Sequence, residues 1–300
     1  MPSRLVLGAR PSKLSLAQCE LALRRIKDIG LDCEIRTIRS AGDRDLQSPL
    51  YATRGQGIFV SDINNELLDG NIDVAVHSAK DLPAKLGKDL RIVSVLPRDD
   101  PRDSLVSPLP LESLIPGSVI GTSSLRRMFE LRKLRPDLRV MNVRGNLETR
   151  IGKIGNGYDA VVLAEAGLRR MNVEAKRFPF TVDQMVPAPN QGIIALVCVA
   201  GSYAERMVEG INDEQSYIAM SIEREIMDRL NLGCSAPAGI FASKSGDIWH
   251  VISRFYNSDG TESKTFRDKL SDSSEAASLA IDIKRRLGNF VNKIRDHNQA

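Results

Sequence analysis

At 300 residues the chain exceeds one ordinary domain, so two or three domains are expected, each able to bury a core. Its 42 basic residues (29 Arg, 13 Lys) against 38 acidic ones leave a net charge of only +4, and aromatics make up 5%. With no run that interleaves basic and aromatic residues, nucleic acid is not the expected partner. The longest apolar run, Ile193–Ala200, falls far short of the ~20 residues a bilayer span needs. Met1–Asp28 holds no continuous apolar stretch of the secretory kind, so a cytoplasmic protein without membrane contact is expected.

In chain order, Arg4–Leu7 forms a short strand that Gly8 is expected to end, and Ser12 or Ser15 opens an amphipathic helix to about Ile29. Cys33–Ile38 is a second strand, Ile58–Leu68 a helix stopped at Gly70, and Ile72–Val76 and Leu90–Val95 are further strands. Gly55-Gln56-Gly57 lacks the strand context and third glycine of a dinucleotide fingerprint. Pro97–Pro116, rich in proline and charge, is expected to be a hinge.

A second unit opens with strand Val119-Ile120 and a helix over Ser123–Leu134. Strand Val140–Val143, a helix near Leu147–Gly155, strand Ala160–Ala164 and a helix from Glu165 follow. Strands alternating with helices in both units predict two α/β domains with mostly parallel sheets. From Asp213 the pattern changes to a helix over Gln215–Leu230, strands near Gly239–Ser243, Ile248–Phe255 and Glu262–Asp268, and one closing helix from about Ser274 to Ile294. That is an α+β arrangement.

The most informative stretch is Gly121-Thr122-Ser123-Ser124-Leu125-Arg126-Arg127, a strand-to-helix turn. Helix N-termini attract anions, and hydroxyls there cap the helix or add donors. Two arginines in a first turn oppose the helix dipole, which points to a negative ligand. Arg144-Gly145-Asn146 and Arg150 repeat the theme, and arginine forks suit carboxylates or phosphates. In open α/β sheets ligands lie beyond the carboxyl ends of the strands. Arg10 and Ser12, the segment His77–Pro83, the double-arginine turn and Ala164–Arg170 all fall at such ends.

Asp81, beside Lys80, is the foremost acid–base candidate, with a surface ion pair or a turn cap as the plainer alternative. His77 is either a base or a packed, hydrogen-bonded side chain. The three histidines lack metal-ligand spacing, so no metal is expected. Cys19, Cys33 and Cys198 sit in core patterns. Cys234 alone lies in turn chemistry, Gly233-Cys234-Ser235-Ala236-Pro237, either as a small turn residue or as a reactive thiol.

These residues, taken together, resemble the porphobilinogen deaminase (hydroxymethylbilane synthase) family. The likeness runs through Arg10/Ser12, Gly57-Ile58-Phe59-Val60, His77–Pro83, Asp100-Pro101-Arg102-Asp103, Gly121–Arg127, Arg144-Gly145-Asn146, Ala166-Gly167-Leu168, Gln191-Gly192, Gly233-Cys234 and Pro237. It implies two α/β domains similar to periplasmic binding proteins, 1–96 with 188–208 and 97–187, and an α+β domain, 209–300. It implies a transferase of tetrapyrrole (haem-type) biosynthesis that joins four porphobilinogen molecules, losing ammonia each time, into hydroxymethylbilane. The chain grows on a dipyrromethane cofactor held by a thioether to Cys234. Asp81 matches the family's catalytic carboxylate, which stabilises a cationic azafulvene.

By the same resemblance, Lys80, Ser78, Arg126, Arg127, Thr122, Ser123, Ser124, Arg144 and Gly145 contact the cofactor. Arg10, Ser12, Phe59, Arg144, Arg150, Arg170 and Gln191 contact substrate. A monomer is expected. Gln56, Ala17 and Pro189-Asn190 depart from residues common in the family. A non-catalytic polycarboxylate-binding protein is the alternative, and it would have no use for Cys234.

Overall fold

The computed structural model describes residues 4–38 and 58–295. It begins with β1 (Leu5–Ala9), α1 (Lys13–Asp28), β2 (Cys33–Thr37), α2 (Ile58–Leu68), β3 (Val74–Ser78) and β4 (Leu90–Val95). Then come β5 (Asp103–Val106), β6 (Val119–Gly121), α3 (Leu125–Leu134), β7 (Arg139–Met141), α4 (Leu147–Ile151), β8 (Ala160–Ala164), α5 (Glu165–Arg170) and β9 (Arg177–Pro179). The chain continues with β10 (Ile194–Val199), α6 (Tyr203–Val208), α7 (Glu214–Arg229), β11 (Ala238–Ser245), β12 (Ile248–Tyr256), β13 (Ser263–Leu270), α8 (Ala276–Leu287) and α9 (Phe290–Arg295). Two compact units result. One holds residues up to Asp99 with Gly192–Ile218, the other Asp100–Gln191 with Ala219 onward.

The first unit contains a five-stranded sheet ordered β2-β1-β3-β10-β4, and the second a sheet ordered β7-β6-β8-β5-β9. The plan is the same in both. Parallel pairs form one side (β1 with β2 and β3; β6 with β7 and β8), and a single reversed strand, β10 or β5, pairs antiparallel with both neighbours. In each sheet the reversed strand is the first one formed after the chain passes from the other unit. The expected pair of similarly built α/β domains with mostly parallel sheets is present, four strands of each sheet running one way and one reversed.

Strand composition explains their depth. In β8, Ala160 and Val162 join a core with Leu105, Ile120 and Leu131, while Val161 and Leu163 join Val106, Val143 and Leu168 on the other face. A continuous apolar run serves both faces because alternate side chains point to opposite sides. In the first unit, Leu5, Leu7 and Ala9 of β1 pack on Cys19, Ala22 and Ile26 of α1 and on Cys198 of β10.

Three local expectations need correction. Gly8 does not end β1; a Cβ there would lie 2.4 Å from the Ile72 side chain, so its bareness admits that side chain rather than a turn. The expected hinge, Pro97–Pro116, does contain a passage between units, at Asp99/Asp100, but the segment beyond it includes the wholly buried β5; the chain passes again at Gln191/Gly192 and Ile218/Ala219. The closing helix is two, since Gly288 takes φ +56 between α8 and α9. Neither α6 nor β9 was expected. The C-terminal α+β part has its antiparallel sheet, β11-β12-β13.

Candidate functional site

In the first unit, neighbouring parallel strands β1 and β3 bring Arg10, Ser12, Ser78, Lys80 and Asp81 to one sheet edge. Ser12 caps α1, its Oγ accepting from the Ser15 N–H at 3.3 Å, and the Arg10 N–H donates to Ser15 Oγ at 3.0 Å. Gln18, buried in α1, donates to Ser78 Oγ at 2.8 Å. A 3-10 turn over Ala79–Asp81 follows β3 and leaves Asp81 exposed and Lys80 half-buried. His77 is the packed side chain of the two possibilities. It is buried, its Nε2 lies 3.0 Å from Asn64 Oδ1, and burial, then the charge of Arg10, pushes it down to about 4. Phe59 falls in the first turn of α2 with its side chain outside what is described, and Gln56 and Gly57 lie outside the described residues.

In the second unit the same edge carries the arginines. Ser124 caps α3, accepting from the Arg127 N–H at 3.5 Å. Thr122 is buried, its Oγ1 accepting from the Ser124 N–H at 3.2 Å, and Ser123 Oγ donates to the Val143 carbonyl. These hydroxyls thus build the turn.

Because β5 runs antiparallel to β8, its first residue, Asp103, stands opposite Ala164 at the carboxyl edge of the parallel strands. There it receives both arginines. Arg127 donates to Oδ1 from Nε at 3.0 Å and from Nη2 at 2.7 Å, and Arg126 Nη1 lies 2.8 Å from Oδ2. Burial pushes the Asp103 carboxyl up, but Arg126 and Arg127 outweigh it and hold the group well below the usual carboxylate range. Arg127 also donates from Nη1 to the Val162 carbonyl at 3.1 Å, so all three of its nitrogens are engaged. Arg126 donates only from Nη1, to the Val186 carbonyl at 2.8 Å; among the described residues its Nε and Nη2 make no hydrogen bond.

Gln191, expected at the substrate, is buried and donates from Nε2 to Asp103 Oδ1 at 2.9 Å and the Pro101 carbonyl at 2.8 Å. Asn190 before it adopts φ +62, a conformation asparagine tolerates, and its N–H donates to Glu223.

Arg150, half-buried, donates from Nε to the Gly145 carbonyl at 2.8 Å. Burial first, then the charges of Arg127 and Arg144, push it down to about 10. Gly145 sits at φ +115 with a Cβ position 2.6 Å from Thr149, so only glycine fits. Arg127, Arg144 and Arg150 therefore repel one another, which a polyanion would relieve. Arg170 ends α5, whose Arg169 is held by Asp100 at 2.8 Å and Glu165 at 3.0 Å.

Cys234 is the exposed cysteine, between α7 and β11, while Cys19, Cys33 and Cys198 are buried. Its sheet is fastened to the arginine-bearing part of the same unit. The Ile240 N–H donates to the Pro187 carbonyl at 3.1 Å, and a Cβ on Gly239 would meet the Val186 carbonyl oxygen at 2.6 Å. Glu130 of α3 accepts from Arg254 and Tyr256 of β12. Asp103, Glu130 and Arg254 were not anticipated as site-building residues. The one available signal was charge within a buried pattern, as in Asp103 opening the run Ser104-Leu105-Val106. Among the described residues no cluster of His, Cys, Asp and Glu could hold a metal, and no helix is long and apolar enough to cross a membrane.

The family model described as "Porphobilinogen deaminase, dipyromethane cofactor binding domain" matches residues 5–206. A probable porphobilinogen deaminase of Thermoplasma volcanium is 41% identical over 285 residues, covering 95% of this chain and 96% of that one. A porphobilinogen deaminase of Caldicellulosiruptor saccharolyticus is 40% identical over 261 residues, covering 85% and 90%. Among solved structures, the methionine-binding protein MetQ matches 72% of this chain and 93% of its own at 14% identity, with a TM-score of 0.46.

Proposed function

Because the chain belongs to the porphobilinogen deaminase family, we infer that its arginine cluster and exposed cysteine serve the stepwise joining of porphobilinogen. The protein is a transferase of tetrapyrrole biosynthesis. It deaminates and condenses four porphobilinogen molecules into hydroxymethylbilane on a covalently bound dipyrromethane primer. The primer would supply the free pyrrole carbon to which the first unit is joined, each later unit being joined to the one before it.

The residues present suit such a group. Cys234 is exposed and outside any disulfide, as a thioether anchor requires. Among the described residues Arg126 keeps two guanidinium nitrogens uncommitted, and the charges of Arg127 and Arg144 both bear on Arg150. Each pyrrole brings two carboxylates, for which arginine forks are the matching donors. We assign carboxylate binding to Arg126, Arg144 and Arg150, with Arg127 acting through its charge, and further contacts to Arg10, Ser12, Ser78, Lys80, Arg170 and Phe59. Thr122, Ser123, Ser124 and Gly145 shape the turns that present these groups. Gln191 acts by holding Asp103.

Asp81 is exposed in the 3-10 turn that follows β3. We assign it the stabilisation of positive charge at the reacting carbon and the holding of the proton exchanged there. A cytoplasmic monomer that engages neither nucleic acid nor membrane, with residues 209–300 as a third domain, completes the proposal. The three-stranded sheet supports the last point.

The observation that carries the assignment is the exposed Cys234 in the same unit as Arg126, Arg127, Arg144 and Arg150, whose positive charges are crowded together. Intact mass under denaturing conditions tests it. The expected result is an excess of two porphobilinogen units less two ammonias, absent from Cys234→Ala. A bare chain that acquires no pyrrole mass after addition of porphobilinogen would leave only a polycarboxylate-binding role.

A further inference from the structure

Two buried guanidinium groups, Arg126 and Arg127, meet one buried carboxylate, Asp103. Counting charges, the cluster is left at +1. Arg127 directs every nitrogen inward, to Asp103 and the Val162 carbonyl, whereas Arg126 keeps Nε and Nη2 uncommitted. A buried charge without a partner is costly, so such a cluster favours a single added negative group.

We propose that Asp103 sets the charge, and hence the selectivity, of the arginine pair. It cancels one of the two positive charges inside the protein. Arg126 then receives one ligand carboxylate, and inorganic dianions, which a doubly positive pair would hold, are kept out. Asp103 is a specificity-determining and positioning residue; it touches the arginines and not the substrate. The inference rests on the reading that this pair binds pyrrole carboxylates.

A charge series tests it on the full-length enzyme: wild type at +1, Asp103→Asn at +2, Arg127→Met at 0, and the double variant back at +1. Two readouts are taken, the fraction carrying pyrrole mass and the response of turnover to added inorganic phosphate. For Asp103→Asn, turnover is expected to fall about fivefold or more in ~100 mM phosphate, where wild type changes less than about twofold. Arg127→Met should carry the primer in roughly a tenth of its molecules, and the double variant should return to within about threefold of wild type.

A purely structural Asp103 would lower the folded yield without creating phosphate sensitivity, and the double variant would then be worse than either single one. A folded Asp103→Asn that responds to phosphate as wild type does overturns the proposal. If Asp103→Asn does not fold, the double variant decides: recovery upholds the charge argument, and an unfolded or unloaded double variant overturns it. Wild-type protein that neither carries pyrrole mass nor consumes porphobilinogen would instead refute the functional reading. Tighter phosphate binding by Asp103→Asn, read by calorimetry, would still uphold the charge-setting role.

Discussion

Arg254 Nη1 donates to Glu130 Oε2 at 2.6 Å, with both side chains almost wholly withdrawn from solvent. The pair joins α3, which carries Arg126 and Arg127 at its start, to β12 of the sheet that follows Cys234. Glu130 also accepts from the Tyr256 hydroxyl at 2.7 Å and from the Val186 N–H at 3.3 Å, and the Val186 carbonyl accepts from Arg126. One residue's peptide groups thus connect the clamp to the anion site. Packing within a single unit ties the arginine-bearing helix to the sheet that follows Cys234.

Truncating one member of that pair leaves the other buried and charged. Glu130→Ala is expected to cost about 3–5 kcal/mol in urea unfolding, far above the ~1 kcal/mol typical of an exposed pair. The double variant Glu130→Ala/Arg254→Met should lose less than the sum of the two single changes, since no orphaned charge remains. A single-variant loss no larger than that of an exposed pair would mean water reaches the site.

His77 makes stability depend on pH. In the unfolded chain the ring takes up a proton as pH falls through 6.5; in the folded protein it does so only near 4, because of burial and then Arg10. Between those values the unfolded state binds more protons, so stability falls as pH falls, and the loss levels off below the folded value. At pH 5 the penalty is about 2 kcal/mol relative to neutral pH. His77→Gln, which keeps a polar partner for Asn64, should flatten that slope in denaturant titrations at pH 5 and 7. Equal slopes would show that His77 takes up its proton as readily in the folded protein as in the unfolded chain.

Much of this architecture was legible locally. Ser12 and the serines of the double-arginine turn announced two helix starts, and the apolar run Leu90–Val95 gave β4 its observed bounds. What failed depended on distant partners. Proline and charge made all of Pro97–Pro116 look like a hinge; the passage between units is at Asp99/Asp100, and Asp103 just beyond it is buried because arginines more than twenty residues on neutralise it. The same pairing explains why Arg126 and Arg127 looked like two ligand-binding forks when one of them is committed internally. Glu130 was invisible for a like reason: a glutamate in a helix is ordinarily solvated, and only Arg254 and Tyr256, over a hundred residues away, take it into the core. The placement of the sheet edges, by contrast, followed from strand order and needed no long-range knowledge.

Asp81→Asn preserves the size and turn position of the side chain while removing its charge. The variant is expected to carry the dipyrromethane mass, since it keeps the arginines and Cys234, and to lose about 10²-fold or more in turnover. Loading and rate measured on the same preparation separate failure of assembly from failure of chemistry. Turnover near that of wild type would remove Asp81 from the reaction.

Thiol accessibility distinguishes Cys234, the proposed anchor, from the other three cysteines. Burial pushes the Cys19 and Cys198 thiols up to about 12 and raises Cys33 as well, so little thiolate exists at these positions near neutrality. Cys234 is exposed. Native protein without its primer should therefore take one iodoacetamide label under mildly alkaline conditions, and Cys234→Ala none. Native protein bearing the primer should take none, because the sulfur is already a thioether. Denaturation exposes all four cysteines of the chain, so four labels are expected without the primer and one fewer with it. Four labels on denatured protein that also carries the pyrrole mass would place the attachment on an atom other than a cysteine sulfur, and Cys234 would lose its role.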